Sequence, residues 1–347
     1  MAEKKSKIKK ILLVLLIILL VLMGMTLIVG ALLLKGKMDM TSMKEFQIEA
    51  PKELQVASEN NGKTVVYQGE TYYLNENITS VLCIGVDKDD MDEQEQIGYG
   101  GQADSLFLAV MDAENQKMSI IGISRDSMVG VDVYDTAGNF VETKNMQLCL
   151  SYAYGNGRES SCENTLRSVA RLLYGVPIHA YVTIDMSAIK ELTDLVGGIE
   201  INPVEEDRKC FDFTLGTEGP VLINGQEARI FVQHRDIESL ESNNERIRRQ
   251  KTFLIAFANT VLQKTKEDLT TPVKLFQEIC DEVITSLSVS DITYLASKAV
   301  NCSISMDNLT VIQGEVKSDG TYAAFYPDET ALYELILDTF YYKKYKG

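Results

Sequence analysis

The chain has 347 residues, with 34 lysines and arginines against 50 aspartates and glutamates, so its formal net charge at pH 7 is −16. This length allows about two domains of ordinary size, and a hydrophobic content of 45% excludes a wholly disordered chain. The acidic balance argues against general nucleic-acid binding, which needs a basic surface. With two histidines in the chain, a histidine-rich metal enzyme is also disfavoured.

The N-terminal segment combines a basic cluster with a long uncharged run. Residues 1–37 contain seven lysines and one glutamate, a net of +6, so the remainder carries −22. Residues 11–34 contain no charged side chain, and about 20 apolar residues cross a bilayer as a helix. The alternative is a cleaved signal peptide, but its apolar region is normally ~7–15 residues long and precedes a small-residue cleavage motif, which this run lacks. We therefore predict a cytoplasmic tail at 1–10, a transmembrane anchor at 11–34, and an extracellular remainder, since lysines favour the cytoplasmic side.

The next segment, residues 35–77, is polar and irregular, with weak strand character at 64–67, and predicts a stalk with one peripheral strand. From residue 78 onward, short runs of β-branched and apolar residues predict buried strands. These runs are 81–86, 106–111, 118–124, 180–184 and 199–201. The polar residues 112–116 have the length of a hairpin turn.

Helical patterns alternate with these strands. Apolar residues at i, i+3, i+4 and i+7 predict helices around 166–173 and 189–196. A long helix is predicted from 243 to about 263, followed by a helical segment near 270–300. Strands that alternate with helices indicate an α/β sandwich with helices on both faces of the sheet.

Six cysteines in an exported domain allow disulfides. Cys149 and Cys162 lie 13 positions apart on either side of a glycine-rich turn, and we predict a disulfide between them. The chain has no Cys-x-x-Cys spacing of the kind that zinc sites or thioredoxin-like redox sites use.

Two aspartates mark the ends of neighbouring strands. Asp87 follows the strand 81–86, and Asp104 begins the next strand. Adjacent strands bring such carboxylates together, and carboxylate oxygens are ligands that Mg²⁺ prefers. The alternative is a pair of solvated aspartates that cap turns, and the spacing alone leaves both interpretations open.

Arginines form the second group of candidates. Arg125 directly follows the strand 118–124, where its fork of donors suits a phosphate, although a surface ion pair with Asp126 is equally compatible with the spacing. Arg246, Arg249 and Gln250 share one face in the first turns of the predicted long helix, where the helix dipole favours an anion. The alternative is a charged helix face that pairs with nearby glutamates.

The order of these features resembles the LytR–CpsA–Psr family of cell-wall glycopolymer transferases. The resemblance runs from about residue 78 to 342. Six segments carry it: Val-Leu-Cys-Ile-Gly-Val-Asp at 81–87, Ala-Asp-Ser at 103–105, Ile-Gly-Ile-Ser-Arg-Asp-Ser at 121–127, Tyr-Ala-Tyr-Gly at 152–155, Leu-Val-Gly-Gly-Ile at 195–199 and Arg-Ile-Arg-Arg-Gln at 246–250.

The resemblance implies a three-layer α/β/α sandwich with a central mixed sheet at 78–347. It also implies an enzyme that takes a teichoic acid or capsule-like polymer from a polyprenyl-pyrophosphate carrier and transfers it as glycosyl phosphate to peptidoglycan. The lipid tail would lie in an apolar tunnel between sheet and helices.

The resemblance also implies roles for individual residues. Asp87 and Asp104 would hold Mg²⁺ on the pyrophosphate. Arg125, Arg235 and Arg246 would grip its oxygens, and Gln250 would orient them. Asp236 is a candidate general base because it lies beside Arg235.

This chain departs from the family pattern at two positions of the implied pyrophosphate site. Gln102 and Gln233 stand where the family usually has arginine, which removes two charge-assisted contacts. Lys144, Arg158 or His234 are candidate replacements. An active transferase is the preferred interpretation. The alternatives are a non-catalytic lipid-pyrophosphate-binding regulator or accessory protein, and a polyprenyl-pyrophosphate hydrolase.

Overall fold

The computed structural model describes residues 29–40, 47–52, 54–86, 97–204, 207, 219–234, 242–280, 282–318 and 322–343. Within these ranges, no helix is long and apolar enough to span a membrane. The predicted cytoplasmic tail and residues 11–28 of the predicted anchor lie outside the described residues. The described part begins with a helix, α1, at 29–40.

Sixteen strands occur in the described part of the chain. They are β1 (Val56–Glu59), β2 (Thr64–Tyr67), β3 (Glu70–Leu74), β4 (Ile78–Val86), β5 (Ala103–Asp112), β6 (Lys117–Ile123), β7 (Met128–Tyr134), β8 (Phe140–Gln147), β9 (Ala180–Ile184), β10 (Ile199–Ile201), β11 (Val221–Ile223), β12 (Val283–Thr285), β13 (Leu309–Val311), β14 (Gly314–Ser318), β15 (Ala323–Pro327) and β16 (Tyr341–Lys343).

Seven α-helices follow α1 in the described residues. They are α2 (Glu159–Leu172), α3 (Met186–Leu195), α4 (Gly225–Gln233), α5 (Ser242–Glu267), α6 (Thr271–Glu278), α7 (Val289–Ala299) and α8 (Glu329–Phe340). A short 3-10 helix, Leu148–Ser151, connects β8 to the loop before α2.

A six-stranded mixed sheet forms the centre, in the order β12-β9-β4-β5-β6-β13. β4 runs parallel to β9 and β6 runs parallel to β13, whereas the β4–β5, β5–β6 and β9–β12 pairs are antiparallel. The predicted hairpin turn at 112–116 is confirmed. The carboxylate of Asp112 accepts hydrogen bonds from the backbone N–H groups of Glu114 and Asn115, at 3.1 and 3.0 Å, which closes the turn.

Helices cover both faces of this sheet, as the sequence pattern predicted. Alternate residues of β4, such as Leu82 and Ile84, are buried in a core that includes Val169 of α2 and Ile336 of α8. The opposite face of β4 and β5 looks toward α3, α5 and α7. Period-two alternation along a strand sends neighbouring side chains to opposite faces, so each strand serves two different cores.

The segment before the sheet differs from the predicted stalk. β2 is the predicted strand at 64–67, but it is joined by β1, β3 and the C-terminal β16 in a second sheet, ordered β1-β2-β3-β16. Tyr67 of β2 is buried and packs against Tyr333 of α8, with ring centroids 5.5 Å apart. This aromatic contact is long-range in sequence, so local polarity did not reveal it.

The helical segment predicted near 270–300 is two helices, α6 and α7, separated by β12. Val283, Ile284 and Thr285 pair with β9 at the edge of the central sheet. Three residues are too few for a periodicity signal, and pairing with an existing edge strand decides their conformation.

Candidate functional site

The site is built where β4 ends and β5 begins. Gly85 lies opposite Ser105, and Val86 lies opposite Ala103, so a β-bulge separates the two pairs and leaves Asp104 within it. Leu106 of β5 pairs with Ile123 of β6. The chain that leaves β6 therefore passes beside Asp104 as it reaches Arg125.

Arg125 is the centre of a polar network at this edge. Its guanidinium donates hydrogen bonds to the carboxylate of Asp104 and to the side-chain oxygen of Gln102. The same group lies 3.3 Å from the Cys149 sulfur, and its Nε is 3.8 Å from Oδ1 of Asp126. The Arg125 side chain is 26% exposed, so one part of the guanidinium is held by the protein while the site stays accessible.

The backbone around Arg125 is also held in place. The Arg125 carbonyl accepts a hydrogen bond from the backbone N–H of Cys149, at 2.9 Å. The amide of Gln147 donates to Asp126 Oδ1 at 3.0 Å and to the carbonyl of Ala323 at 2.7 Å. These contacts tie the loop after β6 to β8 and β15, and such support preorganises a functional side chain.

Protonation states in this network follow from burial and charge. Burial by itself would lower the pKa of Arg125, but Cys149 and the carboxylate of Asp104 outweigh it and raise that pKa. Burial raises the pKa of the Cys149 thiol, although Arg125 opposes the shift. Arg125 is therefore a cation and Cys149 a neutral thiol at pH 7.

Helix α5 supplies the second wall of the site. Gln250 lines an apolar cavity together with Gly85 and Ser105, so it faces the ends of β4 and β5. Arg246 lies one helical turn before Gln250 on the same face and is half-buried. The structure thus places Gln250 and Ser105, the neighbour of Asp104 in the chain, on the lining of the same cavity.

Arg249 has a different role from the one that the helix pattern predicted. Its side chain is 1% exposed, and its guanidinium donates to the carbonyl oxygens of Phe231 at 3.0 Å and His234 at 2.5 Å. It also donates to Oδ1 of the buried Asp207 at 3.3 Å. Arg249 therefore joins α5 to the C-terminal end of α4. We assign it to the architecture of the site instead of to the pyrophosphate.

The remaining predicted residues are placed as follows. Gln102 accepts from Arg125, as described above, and Gln233 accepts a hydrogen bond from Nε of Arg229 at 3.2 Å. The neighbour of Gln233 in the chain, Val232, lines the same apolar cavity as Gln250. Asp87, Arg235 and Asp236 lie outside the described residues.

An apolar cavity of about 240 Å³ begins at this site, and we call it the upper cavity. It lies between the central sheet and helices α3, α4 and α5. The residues that carry its apolar surface are Cys83, Ile84, Phe107, Val182, Ile184, Met186, Ile189, Leu192, Val232, Phe253, Leu254 and Phe257. Gln250, Asp185 and Ser105 are the polar side chains among its lining residues.

A second apolar cavity, of about 360 Å³, continues along the same face of the sheet, and we call it the lower cavity. On β4 the lining passes from Cys83 in the upper cavity to Val81 in the lower one, and on β5 from Phe107 to Ala109. Phe257 of α5 lines both cavities. The two cavities thus lie one after the other along the same face of β4 and β5, with Phe257 in the lining of each, and we call the pair the apolar corridor.

The predicted disulfide between Cys149 and Cys162 is wrong, because both residues are free thiols. Cys149 faces Arg125, whereas the Cys162 sulfur lies 3.1 Å from the hydroxyl of Thr183 on β9. Burial raises the pKa of the Cys162 thiol to about 12. The intervening turn folds α2 onto the sheet, so the two side chains point to different neighbours.

Sequence reasoning missed two contributors. Cys149 contacts the guanidinium of Arg125, and Asp207 is the buried partner of Arg249. Neither residue is in a motif, and both are brought to their partners by distant parts of the chain. No local signal could have identified them.

The known proteins similar to this chain include several teichoic acid transferases and a protein named biofilm regulatory protein A, from Streptococcus mutans. The chain is 26% identical over 218 residues to the polyisoprenyl-teichoic acid–peptidoglycan teichoic acid transferase TagU of Enterococcus faecalis, a match that covers 62% of this chain and 64% of that protein. It is 25% identical over 228 residues to TagV of Bacillus subtilis, which is described by the same activity, with 60% and 53% covered. The chain thus spans less than two thirds of the length of these relatives.

Solved structures show the same fold. The crystal structure of Bacillus subtilis TagV aligns with a TM-score of 0.57 at 23% identity, covering 77% of this chain and 96% of that chain. A structure of TagT bound to LIIa-WTA aligns with a TM-score of 0.56 at 17% identity, covering 76% and 89%. The family model described as the LytR_cpsA_psr family matches residues 34–336. The chain therefore belongs to the LytR_cpsA_psr family, as its ordered motifs predicted.

Proposed function

We propose that this protein is a membrane-anchored extracellular transferase. It takes a teichoic acid or capsule-like glycopolymer from a polyprenyl-pyrophosphate carrier and joins it, as glycosyl phosphate, to a hydroxyl group of peptidoglycan. The observation that carries this proposal is the position of Arg125 and Asp104 at the start of an apolar corridor. A charged anion site next to a long apolar cavity matches an amphipathic substrate with a pyrophosphate head and an isoprenoid tail.

Charge complementarity supports the assignment of the two ends. Arg125 carries a delocalised cation with a planar fork that suits phosphate oxygens. Arg246, on the face of α5 that also carries Gln250, adds a second cation from the opposite wall. The corridor beyond them is lined almost wholly by apolar side chains, which exclude a sugar polymer but accept an isoprenoid chain.

The reaction that this arrangement serves is a phosphoryl transfer. The oxygen of the acceptor hydroxyl attacks the phosphorus that bears the sugar, the bond from that phosphorus to the bridging oxygen breaks, and polyprenyl phosphate leaves. A phosphodiester between the glycopolymer and the peptidoglycan sugar is formed, and the hydroxyl proton is taken up by a base. Such reactions need positioning and charge neutralisation more than covalent catalysis, which arginines can supply.

One side chain of the site, Asp104, has the carboxylate oxygens that Mg²⁺ prefers as ligands. Asp104 supplies a carboxylate that is 13% exposed and lies at the β-bulge beside the corridor. Within the described residues, no three His, Cys, Asp or Glu side chains form a cluster that could hold a metal. Asp104, with Asp87 as the second protein ligand that the family resemblance implies, would therefore share the ion with substrate oxygens and water. When bound, Mg²⁺ would neutralise charge on the pyrophosphate.

One observation favours the binding-protein alternative. Gln102 stands where the family usually has arginine, and it accepts a hydrogen bond from Arg125. A neutral acceptor in place of a cation lowers the positive charge around the anion and occupies part of the Arg125 fork. A protein with this feature could hold the carrier without turning it over.

The decisive experiment uses the full chain in lipid nanodiscs with a lipid-linked glycopolymer, Mg²⁺ and purified peptidoglycan. The transferase is expected to release polyprenyl phosphate and to produce glycan-linked peptidoglycan, both detected by mass spectrometry. Polyprenyl phosphate that appears without peptidoglycan would instead identify a hydrolase. Binding of the donor without either product would contradict both enzymatic functions and support the regulator.

A further inference from the structure

Helix α1 is docked on the domain through a narrow face. Gly36 and Met40, one turn apart, are buried, while the residues between them are exposed. Met40 packs with Ala180 at the start of β9 and with Tyr294 of α7. Residues one turn apart share a helix face, so these two positions define the contact surface.

The contact at Gly36 requires glycine. A Cβ atom at this position would lie 2.1 Å from the carbonyl oxygen of Ser290 and 2.8 Å from Cβ of Tyr294. The nearest of these atoms belong to backbone, so a larger side chain would force α1 and α7 apart. By contrast, a Cβ atom on Gly30, in the same helix, would meet nothing within 4 Å.

This joint lies against the lower cavity. Val81, Leu287 and Leu295 pack against the cluster formed by Met40, Ala180 and Tyr294. The same three residues line the lower cavity. The seat of α1 and the wall of the lower cavity are therefore one continuous packing unit.

The joint is at the opposite end of the corridor from Arg125. The site lies at Gly85 and Ser105, whereas the lower cavity reaches Thr79 on β4 and Met111 on β5. Six residues of extended strand separate Ser105 from Met111, a distance of about 20 Å.

The exposed residues of α1 locate the joint relative to a membrane. Val29 and Leu34 are large exposed apolar side chains, and Lys35 and Lys37 are exposed directly after them. Apolar residues followed by lysines are typical of the boundary between hydrocarbon and headgroups. The buried Gly36 lies between the two lysines, so the joint would sit at the surface of the bilayer.

We propose that the joint between α1 and α7 holds the lower cavity against the bilayer, so that the isoprenoid chain of the carrier runs from Arg125 through both cavities and re-enters the membrane beside α1. This inference rests on the proposed function and on the predicted anchor. An isoprenoid chain that emerged elsewhere would meet water, which its apolar surface disfavours. The carrier would thus stay embedded at its distal end during transfer.

The test uses the full chain in nanodiscs of phosphatidylglycerol and phosphatidylethanolamine. Two photoreactive polyprenyl pyrophosphates are compared, one with a diazirine on the isoprene next to the pyrophosphate and one with a diazirine on the terminal isoprene. Peptide mapping is expected to place the first label in the upper cavity and the second in the lower cavity or on α1.

The variants Gly36→Ala and Gly30→Ala form a matched pair. Both exchange glycine for alanine in α1, but only the first inserts an atom into the joint. An overpacked joint should reduce labelling of the lower cavity by the terminal probe about tenfold. Labelling of the upper cavity, and all labelling in Gly30→Ala, should match the wild type. Met40→Ser weakens the same joint without steric overlap and serves if Gly36→Ala fails to fold.

Two results would overturn the inference: a terminal probe that never labels the lower cavity or α1 in the wild type, or equal labelling in the two glycine variants. Release of polyprenyl phosphate is measured in the same nanodiscs, which separates this inference from the proposed function. Lower-cavity labelling without product would refute the transferase and support the joint. Release of polyprenyl phosphate, together with unchanged labelling of the lower cavity in Gly36→Ala, would support the transferase and refute the joint.

Discussion

Asp207 and Arg249 form an ion pair in which both side chains are almost completely buried, with 3.3 Å between Oδ1 and Nη1. The same guanidinium satisfies the carbonyl oxygens of Phe231 and His234 at the end of α4. α4 contributes Val232 to the upper cavity, and α5 contributes Gln250. This pair therefore sets the spacing of two walls of the upper cavity without lining it.

Arg249→Met should destabilise the fold by about 3 kcal/mol, because it leaves the Asp207 carboxylate and two carbonyl groups without their buried donor. Arg248→Met is the matched control, since Arg248 also donates to Asp207 at 2.7 Å but is 40% exposed. The control should lose about 1 kcal/mol or less. Urea denaturation measures the free energy of unfolding of both variants and of the wild type. Equal losses would show that burial of Arg249 is not the source of its contribution.

Arg125→Ala should lower kcat/KM about 100- to 1,000-fold, as expected when a preorganised donor to a developing anion is removed. Arg125→Lys should recover part of this loss, because lysine restores the charge but not the fork. Steady-state release of polyprenyl phosphate measures the effect. Lys63→Ala, which removes an exposed charge from the turn before β2, should behave as wild type. Wild-type activity in Arg125→Ala would contradict the assigned site.

Asp104→Asn should abolish most transfer activity and weaken the dependence on Mg²⁺, because it removes a charged oxygen ligand while it keeps the size and the acceptor for Arg125. Activity is titrated against Mg²⁺ concentration in both proteins. The melting temperature should stay close to that of the wild type, since Asp104 is at a strand end. Asp307→Asn, an exposed control, should leave the titration unchanged. An unaltered Mg²⁺ profile in Asp104→Asn would exclude this carboxylate as a ligand.

His179 should make the fold sensitive to mild acid. Its Nδ1 accepts a hydrogen bond from the backbone N–H of Ser80 at 3.1 Å, and burial lowers the pKa of His179 to about 4. An unfolded histidine has a pKa near 6.5, so the unfolded state binds more protons between these values. The free energy of unfolding should therefore fall as pH decreases from about 6.5 to about 4, and this contribution should not change further below that.

His179→Asn is the comparison for this prediction, because asparagine can accept the Ser80 N–H bond without titrating. Chemical unfolding at several pH values between 4 and 7 should show a steeper acid loss in the wild type than in the variant. Parallel curves would mean that His179 is not the responsible group.

The predicted topology can be tested in cells. Five lysines before an uncharged run of 24 residues predict that residues 38–347 lie outside the cytoplasmic membrane. Protease added to intact, wall-stripped cells should digest this domain while a cytoplasmic marker remains whole. Full protection of the domain would reject the orientation.

Much of the architecture follows from local patterns. The strands around 81–86, 106–111, 118–124 and 180–184 were predictable because each is a short run of β-branched and apolar residues of the kind that fills buried strands. The hairpin at 112–116 was predictable from the length of its polar turn. The family was identifiable for a related reason. Its motifs lie at the ends of strands and helices and in the loops beside them, where functional residues concentrate.

The arginine face of α5 shows where local patterns stop. The i, i+3, i+4 spacing puts positions 246, 249 and 250 on one broad face of the helix. Within this face, the consecutive residues Arg249 and Gln250 still point about 100° apart. Arg249 points toward the carbonyl oxygens of Phe231 and His234 at the end of α4, whereas Gln250 points toward the upper cavity. Tertiary packing therefore decided that Arg249 is the buried arginine, whereas Arg246 stays half-buried.

The sequence by itself determined the α/β class, the family, and the presence of Arg125 and Asp104 at neighbouring strand ends, because these depend on short-range periodicity and on strand order. Tertiary structure alone decided the partners of Cys149 and Cys162, the second sheet formed by β1–β3 with β16, and the alignment of the two cavities along β4 and β5. Each of these depends on contacts between residues far apart in the chain, and sequence separation carries no information about the direction in which a side chain packs.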